Sequence, residues 1–181
     1  LPGSRSQEIR KMLPLFKQVA DHFPSYQFVI AGAPGISQKQ YSIYTQNSDV
    51  KVVYNATYNL LQNSSAALVT SGTATLETAL FKVPQLVCYR SSSISYWIAK
   101  RILKIKYISL VNLILDRAAV LELIQKECNP KRLIRELQDL VEGSQKNNRL
   151  QKEYQQLYSL LGSGGASRKT ASLIFNQIQR S

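Results

Sequence analysis

Residues 66–89 read AALVTSGTATLETALFKVPQLVCY. The runs AALVTS (66–71) and PQLVCY (84–89) are largely apolar or β-branched and do not alternate polar with apolar. Continuous runs of this kind belong to parallel strands covered on both faces. Between them Leu76, Ala79, Leu80 and Val83 recur at helical spacing, which predicts a helix over 73–82 with these four side chains facing the sheet. Working outward, YQFVIAG (26–32) and VKVVY (50–54) are predicted strands, and helical patterns cover 6–22, 37–47 and 56–63. The alternation predicts an α/β fold: a Rossmann-like open parallel sheet with helices on both faces and ligands outside the carboxyl ends of its strands. Beyond residue 93 the pattern turns mostly helical, near 93–104, 117–127, 130–141, 145–161 and 167–179, a helical carboxyl-terminal extension. GSGGAS (162–167) reads as a flexible link before the last amphipathic helix. LPGSRSQEIRKM (1–12) starts at a turn of the kind that leaves a strand, so a preceding strand and a longer chain are expected.

Composition narrows the classes. At 181 residues, with 44% hydrophobic and 19% charged, the chain suits one folded domain with a real core rather than a disordered segment. No run reaches the roughly 18 apolar residues of a membrane span. Cys88 and Cys128 lie far apart without metal-ligand spacing and read as reduced thiols of a cytoplasmic protein. Lys and Arg number 23 against 11 acids, a formal +12. That excess points to a polyanionic partner: nucleic acid, an anionic membrane face or phosphorylated substrates.

Several short patterns carry chemistry. Ser4 and Gln7 have capping-box spacing, so a helix is expected to start there, with Arg5 in its first turn. A cation at that end of the helix dipole is unfavourable unless an anion sits at the same mouth. An arginine solvated in a loop accounts for Arg5 equally well. SGT (71–73) between a strand and a helix suits phosphate, because Gly72 lets the backbone come close and the helix amides face outward. Glu77 is at capping-box distance from neither Ser71 nor Thr73, but shares a helix face with Thr73 at i, i+4. A phosphate at the mouth would bring ribose hydroxyls to that carboxylate; a plain surface glutamate is the alternative. In SSISYWIAKRILKIKYISL (91–109), Lys100, Arg101 and Lys104 cluster with Trp97 on a helical wheel opposite Ile98, Ile102, Leu103 and Ile105. This basic aromatic face suits an anionic bilayer edge, and equally a helix packed on the sheet with solvated lysines. His22, the sole histidine, reads as a capping or packing residue. No Ser–His–Asp set, metal-ligand cluster or Walker motif is visible, and no general base stands out.

Three segments in this order, LPGSRSQEI (1–9), SGTATLETALFKVPQLVCYR (71–90) and YWIAKRILKIKYISLVNLILDRAAVLELIQKEC (96–128), resemble the carboxyl-terminal half of the lipid-A-disaccharide synthases. These are inverting glycosyltransferases with two Rossmann-like domains, the GT-B architecture. The resemblance implies that residues 1–181 form a UDP-sugar-binding domain, with 161–181 as linker and final helix and the acceptor domain outside the chain. The implied reaction joins UDP-2,3-diacylglucosamine to 2,3-diacylglucosamine 1-phosphate through a β-1,6 link and releases UDP, without metal or other cofactor. It implies catalytic parts for Arg5, against the diphosphate, and Asn112, in YISLVNL. Gly3, Ser4, Gly72, Thr73, Ala74, Thr75 and Glu77 would hold the nucleotide, with Glu77 on the ribose. It implies a cytoplasmic location peripheral at the inner membrane, with Trp97, Lys100, Arg101 and Lys104 at the membrane surface, and a homodimer that exchanges its last helices. This chain alone would bind UDP but not turn over.

The chain departs from the family pattern at Val111, where proline is usual, at Leu115–Asp116, where Ala-Gly is common, and at Leu121, again in place of proline. Another UDP-sugar enzyme of the same architecture, a peptidoglycan glycosyltransferase or a UDP-sugar 2-epimerase, is an alternative that YISLVNL argues against. A basic nucleic-acid-binding module is the alternative from another class. No RNA-recognition, zinc-finger or KH signature supports it, so no nucleic-acid partner is expected.

Overall fold

The computed structural model describes residues 1–46, 48–90, 106–141, 145–162 and 164–179. In chain order these form α1 (Ser6–Ala20), β1 (Val29–Gly32), α2 (Gln38–Thr45), β2 (Lys51–Tyr54), α3 (Thr57–Gln62), β3 (Ala67–Thr70), α4 (Thr73–Leu80) and β4 (Gln85–Tyr89). There follow α5 (Leu110–Leu115), β5 (Leu121–Ile124), a 3-10 turn (Gln125–Glu127), α6 (Pro130–Val141), α7 (Gln145–Leu161) and α8 (Ala166–Gln179). The fold is α/β with parallel strands and flanking helices, as the alternation predicts. The stretch at 66–89 is the parallel unit β3–α4–β4, running from Ala67 opposite Gln85 to Thr70 opposite Cys88.

The strands divide into two parallel sheets. One pairs β1 with β2; the other has the order β3–β4–β5. Leu1 extends the second: its amino group donates to Leu68 O at 3.0 Å, and its carbonyl accepts from Thr70 N at 2.9 Å. Those two bonds are the parallel ladder pattern with Leu1 opposite Val69. A cavity of about 450 Å³ lies between the sheets, lined by Val29, Ile30 and Ala31 on one side and Ala66, Ala67 and Leu68 on the other.

Helix α1 serves both sheets with different faces. Ile9 and Leu13 pack with Ile30, Ile36 and Tyr41, whereas Met12, Leu15, Phe16 and Val19 join the larger core around Leu68, Val87, Leu123, Leu133 and Leu157. Each such side chain removed from water contributes about 1.5–3 kcal/mol. Helix α7 is pinned by Tyr154, whose hydroxyl donates to Val83 O (3.0 Å) and accepts from Gln85 Nε2 (3.1 Å). Cys88 and Cys128 are free, buried thiols.

Two local expectations change. Residues 117–127 are not a helix: AAVLELIQKE is rich in helix formers, but Leu86 and Tyr89 of β4 pair with Leu121 and Ile124, and sheet pairing overrides propensity. The short α5 falls between the helices expected from the sequence. On α4, Leu80 is 41% exposed, and the buried face is Thr75, Thr78 and Ala79. The two threonines are tolerated inside because their hydroxyls donate back to Gly72 O (2.8 Å) and Ala74 O (2.7 Å). The helix expected near 93–104 lies outside the described residues.

Candidate functional site

Parallel strands bring their carboxyl ends to one edge, and helices that follow them start there. With Leu1 opposite Val69, the segments leading into α1 and α4 leave the sheet at the same edge, where both helix mouths open.

The mouth of α1 is built around Glu8. Its Oε2 accepts from the backbone N–H groups of Ser4 (2.9 Å) and Arg5 (3.2 Å), and its Oε1 pairs with Arg5 Nη1 (3.2 Å). The expected Ser4–Gln7 cap is therefore displaced: Arg5 is the N-cap residue and Glu8 supplies the carboxylate. Gly3 makes this arrangement, since its φ of +107° turns Ser4 and Arg5 toward Glu8. A Cβ there would stand 2.4 Å from Glu8 Oε2. The Arg5 side chain is 81% exposed, so most of its guanidinium faces outward, and the pair with Glu8 is worth about 1 kcal/mol at most.

The mouth of α4 is open. Gly72, its N-cap, has φ 144° and ψ −164°, a region essentially reserved for glycine, and a Cβ there would meet no atom of the described residues within 4 Å. Thr75 N returns to Gly72 O at 3.2 Å. Among the described residues nothing accepts from the amides of Thr73 and Ala74. Thr73 is exposed and Ala74 half-buried. Behind them the buried Thr70 Oγ1 has no partner among the described residues. Ser71 turns away, its hydroxyl donating to Ile108 O at 2.9 Å.

One turn inside, Glu77 is half-buried and accepts from Tyr58 OH at 3.5 Å. It lines a recess of about 370 Å³ with residues 55–59. Tyr58 stacks on Phe81 with centroids 5.3 Å apart. Sequence reasoning missed this α3 contribution. The available signal was YNAT at the carboxyl end of a predicted strand, where Asn55 takes a positive φ of 54°.

Asn112 lies elsewhere. It is 1% exposed, with its carboxamide engaged at both ends: Nδ2 donates to Val120 O (2.9 Å) and Glu122 Oε1 (2.8 Å), and Oδ1 accepts from Val120 N (2.8 Å). Around it, Val111 is fully buried, Asp116 is the left-handed cap of α5 (φ 48°, ψ 34°), and Leu121 opens β5. His22 is exposed beyond the far end of α1, edge-on to Phe23. Trp97, Lys100, Arg101 and Lys104 lie outside the described residues. Among the described residues no three His, Cys, Asp or Glu side chains cluster to hold a metal ion, and no helix is long and apolar enough to cross a membrane.

The arrangement suits a dianion at the α4 mouth, a cation above it from Arg5, and a hydroxyl-bearing group against Glu77. Comparison with known proteins identifies relatives of the whole chain. The profile of a family described as lipid-A-disaccharide synthetase matches residues 1–176. A lipid-A-disaccharide synthase of Syntrophus aciditrophicus is 31% identical over 188 aligned positions, covering 100% of this chain and 49% of that protein. That of Persephonella marina is 32% identical, covering 96% and 48%, and that of Myxococcus xanthus 34%, covering 96% and 47%. The chain spans about half the length of the curated relatives it matches.

Proposed function

This chain belongs to the lipid-A-disaccharide synthetase family, and from that premise we propose that it is the donor-nucleotide-holding half of a glycosyltransferase. The reaction is transfer of 2,3-diacylglucosamine from UDP-2,3-diacylglucosamine to 2,3-diacylglucosamine 1-phosphate, with inversion to a β-1,6 link and release of UDP. The acceptor site and general base belong to the other half of a two-domain protein.

The observation that carries the reading is the open α4 mouth beside Arg5, with Glu77 one turn inside. As the glycosidic bond breaks, negative charge grows on the departing diphosphate. The outward amides of Thr73 and Ala74 and the positive end of the α4 dipole are pre-aimed at that charge. Arg5 adds a guanidinium already held on one edge by Glu8, so little side-chain freedom is lost when it turns to phosphate. Gly3 and Ser4 shape that turn, and Gly72, Thr73 and Ala74 line the phosphate end; Thr75, expected there from the sequence, is instead fully buried with its amide and hydroxyl both turned back to Gly72 O. Glu77 takes the ribose hydroxyls, with Tyr58 beside it. Cationic side chains and helix amides carry the charge in place of a metal. Asn112 serves activity through the segment it holds.

The acylated substrates reside at a membrane surface, and a formal +12 supports peripheral attachment to the anionic cytoplasmic face of the inner membrane. For assembly, α8 exposes Leu173, Ile174, Phe175 and Ile178, each at least 57% accessible, beyond the GSGGAS link. Such a stripe suits exchange with a second copy. Light scattering should then give a dimer mass that falls to monomer when the chain is ended at residue 161; a monomeric parent contradicts the exchange.

Calorimetric titration of UDP and ADP tests the central reading. UDP should bind and ADP should not. Arg5→Ala and Glu77→Ala should each weaken UDP about tenfold or more, the scale of a lost hydrogen bond to a charged group. No heat from UDP at millimolar concentration, in this chain and in a full two-domain protein, overturns it. Sequence-indifferent oligonucleotide binding with steep salt dependence would instead favour the nucleic-acid alternative.

A further inference from the structure

We infer that Glu122 is a positioning residue for the α4 mouth, holding the 108–112 segment that in turn aims Ser71 and Gly72. The inference rests on reading that mouth as the diphosphate seat.

Glu122 stands on β5, where a carboxylate is an unusual strand residue, and is half-buried. A carboxylate so placed must be satisfied by donors. Four groups converge on it: Ile108 N (3.0 Å to Oε2), Ser109 N (2.9 Å), Ser109 Oγ (2.8 Å) and Asn112 Nδ2 (2.8 Å), the last three on Oε1. Ser109 Oγ also caps α5 by accepting from Asn112 N at 3.2 Å. Asn112 ties the same carboxylate to the Val120 backbone through both ends of its amide. One carboxylate therefore fixes the start of α5, the turn after it and the strand that follows.

The link to the mouth runs through Ile108. Its N–H is held by Glu122, and its carbonyl accepts from Ser71 Oγ at 2.9 Å. Ser71 immediately precedes Gly72, whose glycine-only backbone conformation sets where the Thr73 and Ala74 amides point. Glutamine at 122 would turn one oxygen into an N–H₂ facing the Ile108 N–H, donor against donor, and release that end of the segment. Charge at residue 122 thus controls the geometry of a loop 50 positions earlier without touching a ligand.

Two measurements on this chain test it. In the ligand-free protein, Glu122→Gln should move the amide resonances of Gly72 and Thr73 while Ile30 and Val52, in the other sheet, stay in place. In titration, Glu122→Gln and Ser71→Ala should each weaken UDP roughly three- to tenfold, the scale of about one hydrogen bond transmitted to the mouth. The double variant should be no weaker than the worse single one, because both cut one chain of contacts. Unmoved Gly72 and Thr73 resonances in folded Glu122→Gln, or additive losses, overturn the inference. If Glu122→Gln does not fold, Ser71→Ala still decides: unchanged Gly72 and Thr73 resonances there overturn it too. Absence of UDP binding to the parent chain removes the nucleotide reading, while the resonances still report on positioning.

Discussion

The mouths of α1 and α4 open at one sheet edge and are finished in opposite ways. At α1 the chain supplies its own anion: Glu8 takes the Ser4 and Arg5 amides, and the dipole is answered internally. At α4 no side chain among the described residues takes the Thr73 and Ala74 amides, and the nearest carboxylate on the helix, Glu77, is a turn away facing Tyr58. The first mouth therefore offers a cation, the second offers backbone donors. In the proposed function a diphosphate would use both, which neighbouring identical mouths would not provide.

The two N-terminal glycines give the sharpest way to break this contrast. Gly3→Ala meets a positive φ and a 2.4 Å clash with Glu8, so it should cost about 2–4 kcal/mol in a urea denaturation, combining backbone strain with a lost cap. Gly72→Ala meets no atom of the described residues within 4 Å, so backbone strain sets its cost, about 1–3 kcal/mol, while UDP affinity drops sharply as the amides swing. Equal stability losses with unchanged UDP binding would erase the distinction between the mouths.

Glu8→Ala empties the closed mouth. It should lower stability by about 1 kcal/mol and weaken UDP only modestly, by roughly the side-chain freedom that Arg5 regains. A large loss of UDP affinity would instead make Glu8 part of the site.

A control lies away from both mouths. Burial pushes the Glu136 carboxyl up, but Arg135 (2.8 Å) and Lys146 (3.1 Å) outweigh it and hold the group below its ordinary value. A depressed carboxyl contributes stability above the unfolded value near 4.3, lost as pH falls through the lower folded value. Glu136→Gln should therefore flatten the acid limb of a stability–pH curve below that point and leave UDP binding at neutral pH unaltered. The smallest effect is expected at Asp116→Gly. This left-handed cap favours glycine, while the exposed Lys106 pair it loses is worth little, so Tm should rise by roughly 1–3 °C.

Much of this architecture can be read from local pattern. The β3–α4–β4 unit, α6 and α7 show in the residues because continuous apolar runs and helical periodicity are properties of neighbouring positions. Strand β5 hid because LELI, apart from Ile124, has no β-branched residue, and only pairing with β4 makes it a strand. Gly72 and Glu77 could be picked out as a strand–turn–helix signature with a stray acid, and Arg5 as a misplaced cation.

What no window of sequence carries is the wiring between distant positions. Glu8, not Gln7, closes the first mouth because Gly3 adopts a positive φ. Ser71 faces Ile108 across 37 positions, and Tyr58 reaches Glu77 across 19. Glu122 gathers donors 10 to 14 residues away. Residue type and spacing set which elements form, since those preferences act over a turn or a strand. Which donor meets which acceptor is set when the sheets and helices pack, because a hydrogen bond needs its partners within a few tenths of an ångström and that precision exists only in the assembled fold.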